Sequence, residues 1–405
     1  MNTSKLKSYA PKARIAFMQA VTKRAAMLGL YQDRISEVNF EADNAIIEGR
    51  IFSRKQGQQR NQLAKRITAL ATHDGKVKLK DGFNQFINEM AFTWFNRFTA
   101  IRYMEINSFL DHGYRVLSNS KNAQFGEGFE ILSHAADVAV DLGLDKNQIV
   151  QLMLDGDKEE QLYREILLGQ CHQLSRIMPF MFETLDDATE LLLPDNLTKT
   201  DSLLKALIND IPENNWRDLD AETHTERGKI EVIGWLYQFY ISEHKDTVIG
   251  KVVKREDIPA ATQLFTPNWI VKYLVQNSLG RQWLATYPES ELKHKMAYYI
   301  APAEQSDDVI EQLKAITPTS IDPEQIKVLD PACGSGHILV EVYEVLREIY
   351  LERGYRLSEI PELILTKNIY GLDIDDRAAQ MAAFAVLMKA REDDKRIFSR
   401  IADSI

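Results

Sequence analysis

The sequence predicts an α-helical N-terminal domain over residues 1–245, followed over residues 246–405 by the opening of an α/β, Rossmann-like domain. Three observations carry that division. Apolar residues recur at three- and four-residue steps up to about residue 245. A charged connector then runs from Lys251 to Pro259. Two apolar strand signals, each closing on an acidic residue, appear after residue 326. Helical periodicity and short apolar runs bounded by turn residues are the local signals that tell the two regimes apart.

The first helix is expected over 11–29, where Ile15, Met18, Val21, Ala25 and Leu28 form one side and Lys12, Lys23 and Arg24 lie outside it. Turn-rich patches at Gly57 and His73-Asp74-Gly75 set off helical segments around 60–72 and 82–110. In the second of these, Phe92, Trp94, Phe95, Phe98, Tyr103 and Phe109 interleave with Arg97 and Arg102. Such a mixture stacks on bases and pairs with phosphate in single-strand binders. The expectation preferred here is a core helix whose arginines are matched by acids such as Glu89 and Glu105. Further helices are expected near 127–141, 146–154, 158–176, 185–192, 201–209 and 230–240, with no repeat of fixed period and no low-complexity tract.

Composition bounds the function. With 405 residues, 45% of them hydrophobic, the chain can bury cores for two or three units. A net charge of -10 argues against a nonspecific polyanion binder, but residues 1–120 hold 19 Lys/Arg against 10 Asp/Glu. Within that basic end Arg50, Arg54, Lys55, Arg60, Lys65 and Arg66 succeed one another with no acid between them. Arg50, Arg54, Arg60 and Lys65 are therefore the candidate DNA-binding residues, weighed against a merely solvated helix face. The two cysteines, Cys171 and Cys333, have no partner spacing for a disulfide framework or a zinc site, so no metal is expected. No run of 18 apolar residues and no secretory block occurs, so no membrane association is expected and a cytoplasmic location is.

The chemistry concentrates in three stretches. Lys327-Val328-Leu329-Asp330 reads as a strand, Pro331-Ala332-Cys333-Gly334-Ser335-Gly336 as a tight turn, and the segment from His337 as a helix with Ile338, Leu339, Val342 and Val345 on its apolar side. A glycine turn between a strand and a helix lets backbone approach a small polar ligand at the carboxyl edge of a parallel sheet. Leu339 stands where a dinucleotide loop requires a small residue, and no Lys comes after Gly336 as a P-loop requires. The second stretch, Asn368-Ile369-Tyr370-Gly371-Leu372-Asp373-Ile374, is another strand closing on an acid, which places Asp373 to accept from ribose hydroxyls. Its offset from Asp330, 43 residues, is longer than the usual ~20, so a helix through Tyr350 and a loop with Pro361 must fill the excess. The third is Gln263-Leu264-Phe265-Thr266-Pro267-Asn268, where Thr266 is expected to cap a helix and Pro267 to open it.

Asp330-Pro331-x-x-Gly334-x-Gly336 resembles the first motif of amino-group methyltransferases, whose glycine loop wraps the methionine part of S-adenosylmethionine. Phe265-Thr266-Pro267 resembles the motif that these enzymes place against the methionine carboxylate, ahead of the glycine loop as in their gamma ordering. Together with Thr93-Trp94-Phe95-Asn96-Arg97 and Glu231-Val232-Ile233-Gly234-Trp235-Leu236-Tyr237, the chain is similar along its length to the PglX family, adenine-specific DNA methyltransferases of the BREX phage-defence systems. The resemblance implies S-adenosylmethionine as cofactor, held by Phe265, Thr266, Pro267, Asp330, Pro331, Ala332, Gly334, Ser335, Gly336, Asp373 and Ile374. It further implies double-stranded DNA as substrate, with other defence-system proteins as partners. The family holds its flipped adenine with Asn-Pro-Pro-Tyr/Phe, and no Asn-Pro-Pro occurs in these 405 residues. No catalytic residue is therefore assigned to this chain, and residues 1–405 by themselves are expected to be inactive, with the helical domain still folding. A rival expectation is a nucleic-acid or protein interaction module on a degenerate methyltransferase fold. Cys333 lies inside the cofactor turn, so it is read as a packing residue, not a nucleophile.

Overall fold

The computed structural model describes residues 3–73, 76–121, 124–125, 128–182, 187–219, 226–248, 258–262 and 266–402. The chain is mostly helical and divides into two compact units between Glu226 and Arg227. The sequence places that division at 245–260, because the helical pattern changes there. The contacts place it earlier because the helix Glu231–Val248 packs with helices later in the chain.

In the first unit, α1 (Ser4–Met27) and α2 (Arg54–Ala71) both pack on α3 (Leu79–Ile106). Phe17 of α1 meets Phe95 of α3 edge-on, with ring centroids 5.7 Å apart. The aromatic stripe is core: Phe92, Trp94, Phe95, Phe98 and Tyr103 are all buried. Its arginines are buried too. The Arg97 guanidinium lies 4.6 Å from the Trp94 ring centre. Arg102 pairs with Glu105 at 2.6 Å with neither side chain exposed. Glu89, the other acid expected to serve this helix, instead meets Arg66 of α2 at 3.1 Å. Base stacking by this segment would require the core to open.

Strands were not expected in this unit, yet β1 (Asn39–Glu41), β2 (Asn44–Ile47) and β3 (Arg50–Ser53) form an antiparallel meander. Only its second turn carries a glycine, Gly49 at φ 79°. Ala42 and Glu48 both take φ of 47°, a left-handed conformation usually left to Gly, Asn or Asp. Ser53, at the end of β3, caps α2: its hydroxyl accepts from the Gln56 amide and the Gln56 side chain returns to the Ser53 amide.

This arrangement corrects one of the basic candidates. Arg60 is 3% exposed, and its guanidinium donates to the carbonyls of Leu28 at 2.9 Å, Gly29 at 3.2 Å and Ser36 at 2.5 Å. It ties α2 to the end of α1 and cannot reach a phosphate. Arg50, Arg54 and Lys65 are exposed. Arg60→Ala is expected to leave three carbonyls, those of Leu28 and Gly29 in buried bonds, short of a charged donor, costing about 2 kcal/mol of stability and several degrees in Tm. The salt slope of DNA binding should not move with it. A slope lowered by about one with unchanged Tm would return Arg60 to the DNA contacts.

The second unit is built on one parallel β-α-β connection. β4 (Val328–Asp330) pairs with β5 (Ile369–Gly371) in the register Val328↔Ile369, Leu329↔Tyr370, Asp330↔Gly371. Preceding this pair are α4 (Glu231–Val248) and α5 (Asn268–Val275). Between its strands run α6 (His337–Glu352), a short helix at Ile360–Leu363 containing Pro361, and a wide turn over Ile364–Asn368, which fill the long offset between the two acids. Asn368, fully buried, fixes the return: it donates to Pro323 and Ile326 carbonyls at 2.8 Å and accepts from Tyr350 at 2.9 Å. After β5 comes α7 (Asp376–Asp393). Both α5 and α7 pack on α6, and α4 packs on α7. Among the described residues of both units no helix is long and apolar enough to cross a membrane.

Candidate functional site

Asp330 ends β4 and is 8% exposed. Its Oδ1 accepts from the Ala332 amide at 3.1 Å, which bends the chain out of the strand. Its Oδ2 is buried and has no hydrogen-bond donor. The glycines then make the turn possible: Gly334 takes φ 54° and Gly336 φ 86°. Gly336 also lies against α7, where an added Cβ would sit 2.7 Å from Ala382 Cα. α6 starts directly after it.

The second acid is tied to this loop. Asp373 Oδ2 accepts from the Gly334 amide and Oδ1 from the Asp375 amide, both at 2.8 Å. The backbone adds Leu372 N to Asp330 O and Cys333 N to Leu372 O, each 2.9 Å. The two strand ends and the glycine loop are therefore one hydrogen-bonded assembly, with Asp373 at its centre. Ile374, next to it, is 65% exposed. Cys333 packs beneath Gly371, and burial together with Asp373 and Asp330 pushes its thiol up to about 11. A thiol held that high is not a nucleophile near neutral pH, so the packing role stands.

Asp330, Ala332, Gly334 and Ser335 share one cavity of about 70 Å³ with Thr266. Thr266 contributes as a wall and not as the expected cap: α5 begins at Asn268, with Pro267 in the cap position and no side-chain cap bond. Pro331, Pro267, Gly336, Asp373 and Ile374 do not line this cavity; Asp373 and Gly336 shape its loop. Phe265 lies outside the described residues. A larger cleft of about 390 Å³ adjoins it between α5, α6 and α7, sharing Ser335 and His337. Lys389 lines that cleft and bridges to Glu344, also on its wall, at 2.6 Å.

Sequence reasoning expected the helix of α4, near 230–240, but missed its place at the site. Assigned to the helical domain, it lies on the glycine loop: a Cβ at Gly234 would fall 2.0 Å from His337 Cε1 and 2.8 Å from Ser335 Oγ. Tyr237 donates to Asp375 Oδ2 at 2.6 Å, and Asp375 in turn holds Arg377 and caps α7. Beneath α4 the His337 ring, bonded at Nδ1 to Ser335 Oγ at 3.1 Å, is pushed down to about 4 by burial and is neutral at ordinary pH. The glycine in the stretch Glu231–Tyr237 was the available signal, since glycine inside a helix marks a close approach.

Residues 304–403 match the family described as MmeI, DNA-methyltransferase domain. Over 403 residues the chain is 55% identical to a protein of Escherichia coli O9:H4 (strain HS) named adenine-specific methyltransferase BrxX, covering 99% of this chain and 32% of that protein. Over 417 residues it is 34% identical to adenine-specific methyltransferase PglX of Lacticaseibacillus casei (strain Zhang), covering 98% of this chain and 33% of that one. The chain thus spans about a third of the length of these curated relatives.

Proposed function

The chain belongs to the BrxX/PglX family of adenine-specific methyltransferases, and on that footing we propose that it carries the S-adenosylmethionine-binding part of a site-specific DNA adenine-N6 methyltransferase of a BREX-type phage-defence system. The observation that carries the cofactor is the buried Asp330 Oδ2, an acceptor without a donor at the mouth of a glycine loop. A buried carboxylate oxygen left in this state is costly unless a ligand satisfies it. The ammonium of a methionine group is such a donor.

In this reading Gly334 and Gly336 let the loop backbone approach the ligand, while Ala332 and Ser335 leave room beside it. Pro331 fixes the entry of the turn. Thr266 forms the wall toward the methionine carboxylate, with Phe265 and Pro267 beside it in the sequence. Asp373, with one lone pair on each oxygen committed to the loop, offers its remaining lone pairs to ribose hydroxyls beside Ile374. When bound, the cofactor supplies an electrophilic methyl group on sulfur. The residues named here hold and orient it, and alignment contributes a large share of the barrier reduction in such a displacement. The β4–β5 pair is read as the start of a Rossmann-like sheet. Double-stranded DNA is the proposed substrate, with other proteins of the defence system as partners and the cytoplasm as location.

The test is methylation by the full-length protein. Transfer of a labelled methyl group to DNA, with single-molecule sequencing placing N6-methyladenine in one short motif, is the expected result. Label on cytosine, or cofactor binding with no transfer to any DNA, would replace the adenine assignment.

A further inference from the structure

We propose that Gln238 of α4 is a cofactor-binding residue, accepting a hydrogen bond from the ammonium group of S-adenosylmethionine opposite Asp330. The proposal rests on the cofactor reading above and adds a contact from outside its motifs. Gln238 lines the same small cavity as Asp330, Thr266 and the glycine loop. Its side-chain Oε1, like Asp330 Oδ2, is a buried acceptor with no donor. Two such acceptors in one cavity, both from side chains and on separate elements, ask for a ligand that brings several donors and no acceptor at that point. An ammonium has three donors and a positive charge, which suits a carboxylate and an amide oxygen together. A hydroxyl brings one donor, and a carboxylate or phosphate brings none.

The helix geometry places Gln238 for this role. Gly234 and Gln238 are four residues apart, so they stand one above the other on one face of α4. The missing side chain at Gly234 lets that face come down onto Ser335 and His337. Tyr237, next in the chain, pins the helix to Asp375 at 2.6 Å, two residues beyond Asp373. The position of Gln238 is thus set from both sides of the loop, by contacts that would hold with the cavity empty or filled.

The experiment compares two ligands on the full-length protein by calorimetry: S-adenosylmethionine, and 5′-methylthioadenosine, which keeps the nucleoside and sulfur but lacks the amino acid. Gln238→Leu, similar in size and without an acceptor, is expected to weaken S-adenosylmethionine by about tenfold or more and to leave 5′-methylthioadenosine within twofold. Retained binding of the second ligand also reports that the variant is folded. Equal loss of both ligands, or no loss of either, overturns the role of Gln238. A wild-type protein that binds neither ligand would instead overturn the cofactor reading itself.

Discussion

Replacing Gly336 by alanine is expected to cost about 2–5 kcal/mol of stability in the second unit and to abolish measurable cofactor binding. Two causes add. The residue sits at φ 86°, where an L side chain is strained, and its Cβ would fall 2.7 Å from Ala382 Cα and 2.9 Å from Ala382 Cβ. The obstacle is the backbone of α7, held in place by Arg347 Nε, which donates to both carboxylate oxygens of Asp393, and by buried Met381 and Phe384, so it cannot swing aside as a flexible side chain would. Either the helix moves or the loop does, and the loop is the softer of the two. Gly334→Ala supplies the control: φ there is 54° but nothing lies within 4 Å of the added Cβ, so only the conformational cost of about 1 kcal/mol remains. Thermal unfolding of the two variants side by side decides between the causes. Equal losses would mean that the contact with α7 is not what fixes the loop.

The same residue marks how much of the site was legible in the sequence. Strand, acid, Pro, paired glycines and helix are local signals, and the structure has each of them where the spacing put it: β4 ends at Asp330 and α6 starts at His337. The pairing of β5 beside β4 was legible too, through the second acid. What a local reading does not contain is which distant segment covers the loop. Gln238 is one polar residue on an aromatic-rich helix, nearly a hundred residues before the glycines, and only the fold brings it to Asp330. Arg60 fails for the mirror reason. An uninterrupted basic run gives charge but not direction, and α2 turns this one side chain inward to three carbonyls while Lys65 stays in solvent.

In the fold at large, the segment Lys146–Leu154 obeyed its periodicity, burying Ile149 and Leu152 on one face, whereas α3 is buried on all sides from Trp94 to Ile106 and was legible by its aromatic content. The meander over Asn39–Ser53 announced itself only weakly, since its strands are three or four residues long, its first turn places Ala42 in the left-handed region, and only Gly49 in the second turn signals a hairpin. The interior arginines were legible as core only by weighing them against nearby acids. The structure keeps Glu105 in that role through contacts to Arg102, Ser118 and the Leu117 amide, and moves Glu89 elsewhere.

Asp373→Ala should lower affinity for S-adenosylmethionine in the full-length protein by about a hundredfold, roughly 2.8 kcal/mol. The sequence alone gives this carboxylate one role, accepting from ribose hydroxyls, and removing one or two such bonds accounts for only part of that loss. The structure adds a second role, because its two oxygens hold the amides of Gly334 and Asp375 at 2.8 Å and the alanine variant therefore also frees the glycine loop from the end of β5. Bonds from backbone N–H to a carboxylate contribute about 1.5–3 kcal/mol each at most, and less here because the group is partly in solvent. The two roles separate by amide exchange. If Asp373 braces the loop, the Gly334 amide of Asp373→Ala exchanges faster even with no ligand added, and Asp373→Asn, which keeps one acceptor oxygen, falls between wild type and alanine in both affinity and protection. If affinity drops while the Gly334 amide stays as protected as in wild type, the carboxylate acts on the ligand alone. Unchanged calorimetric affinity would remove Asp373 from the site altogether.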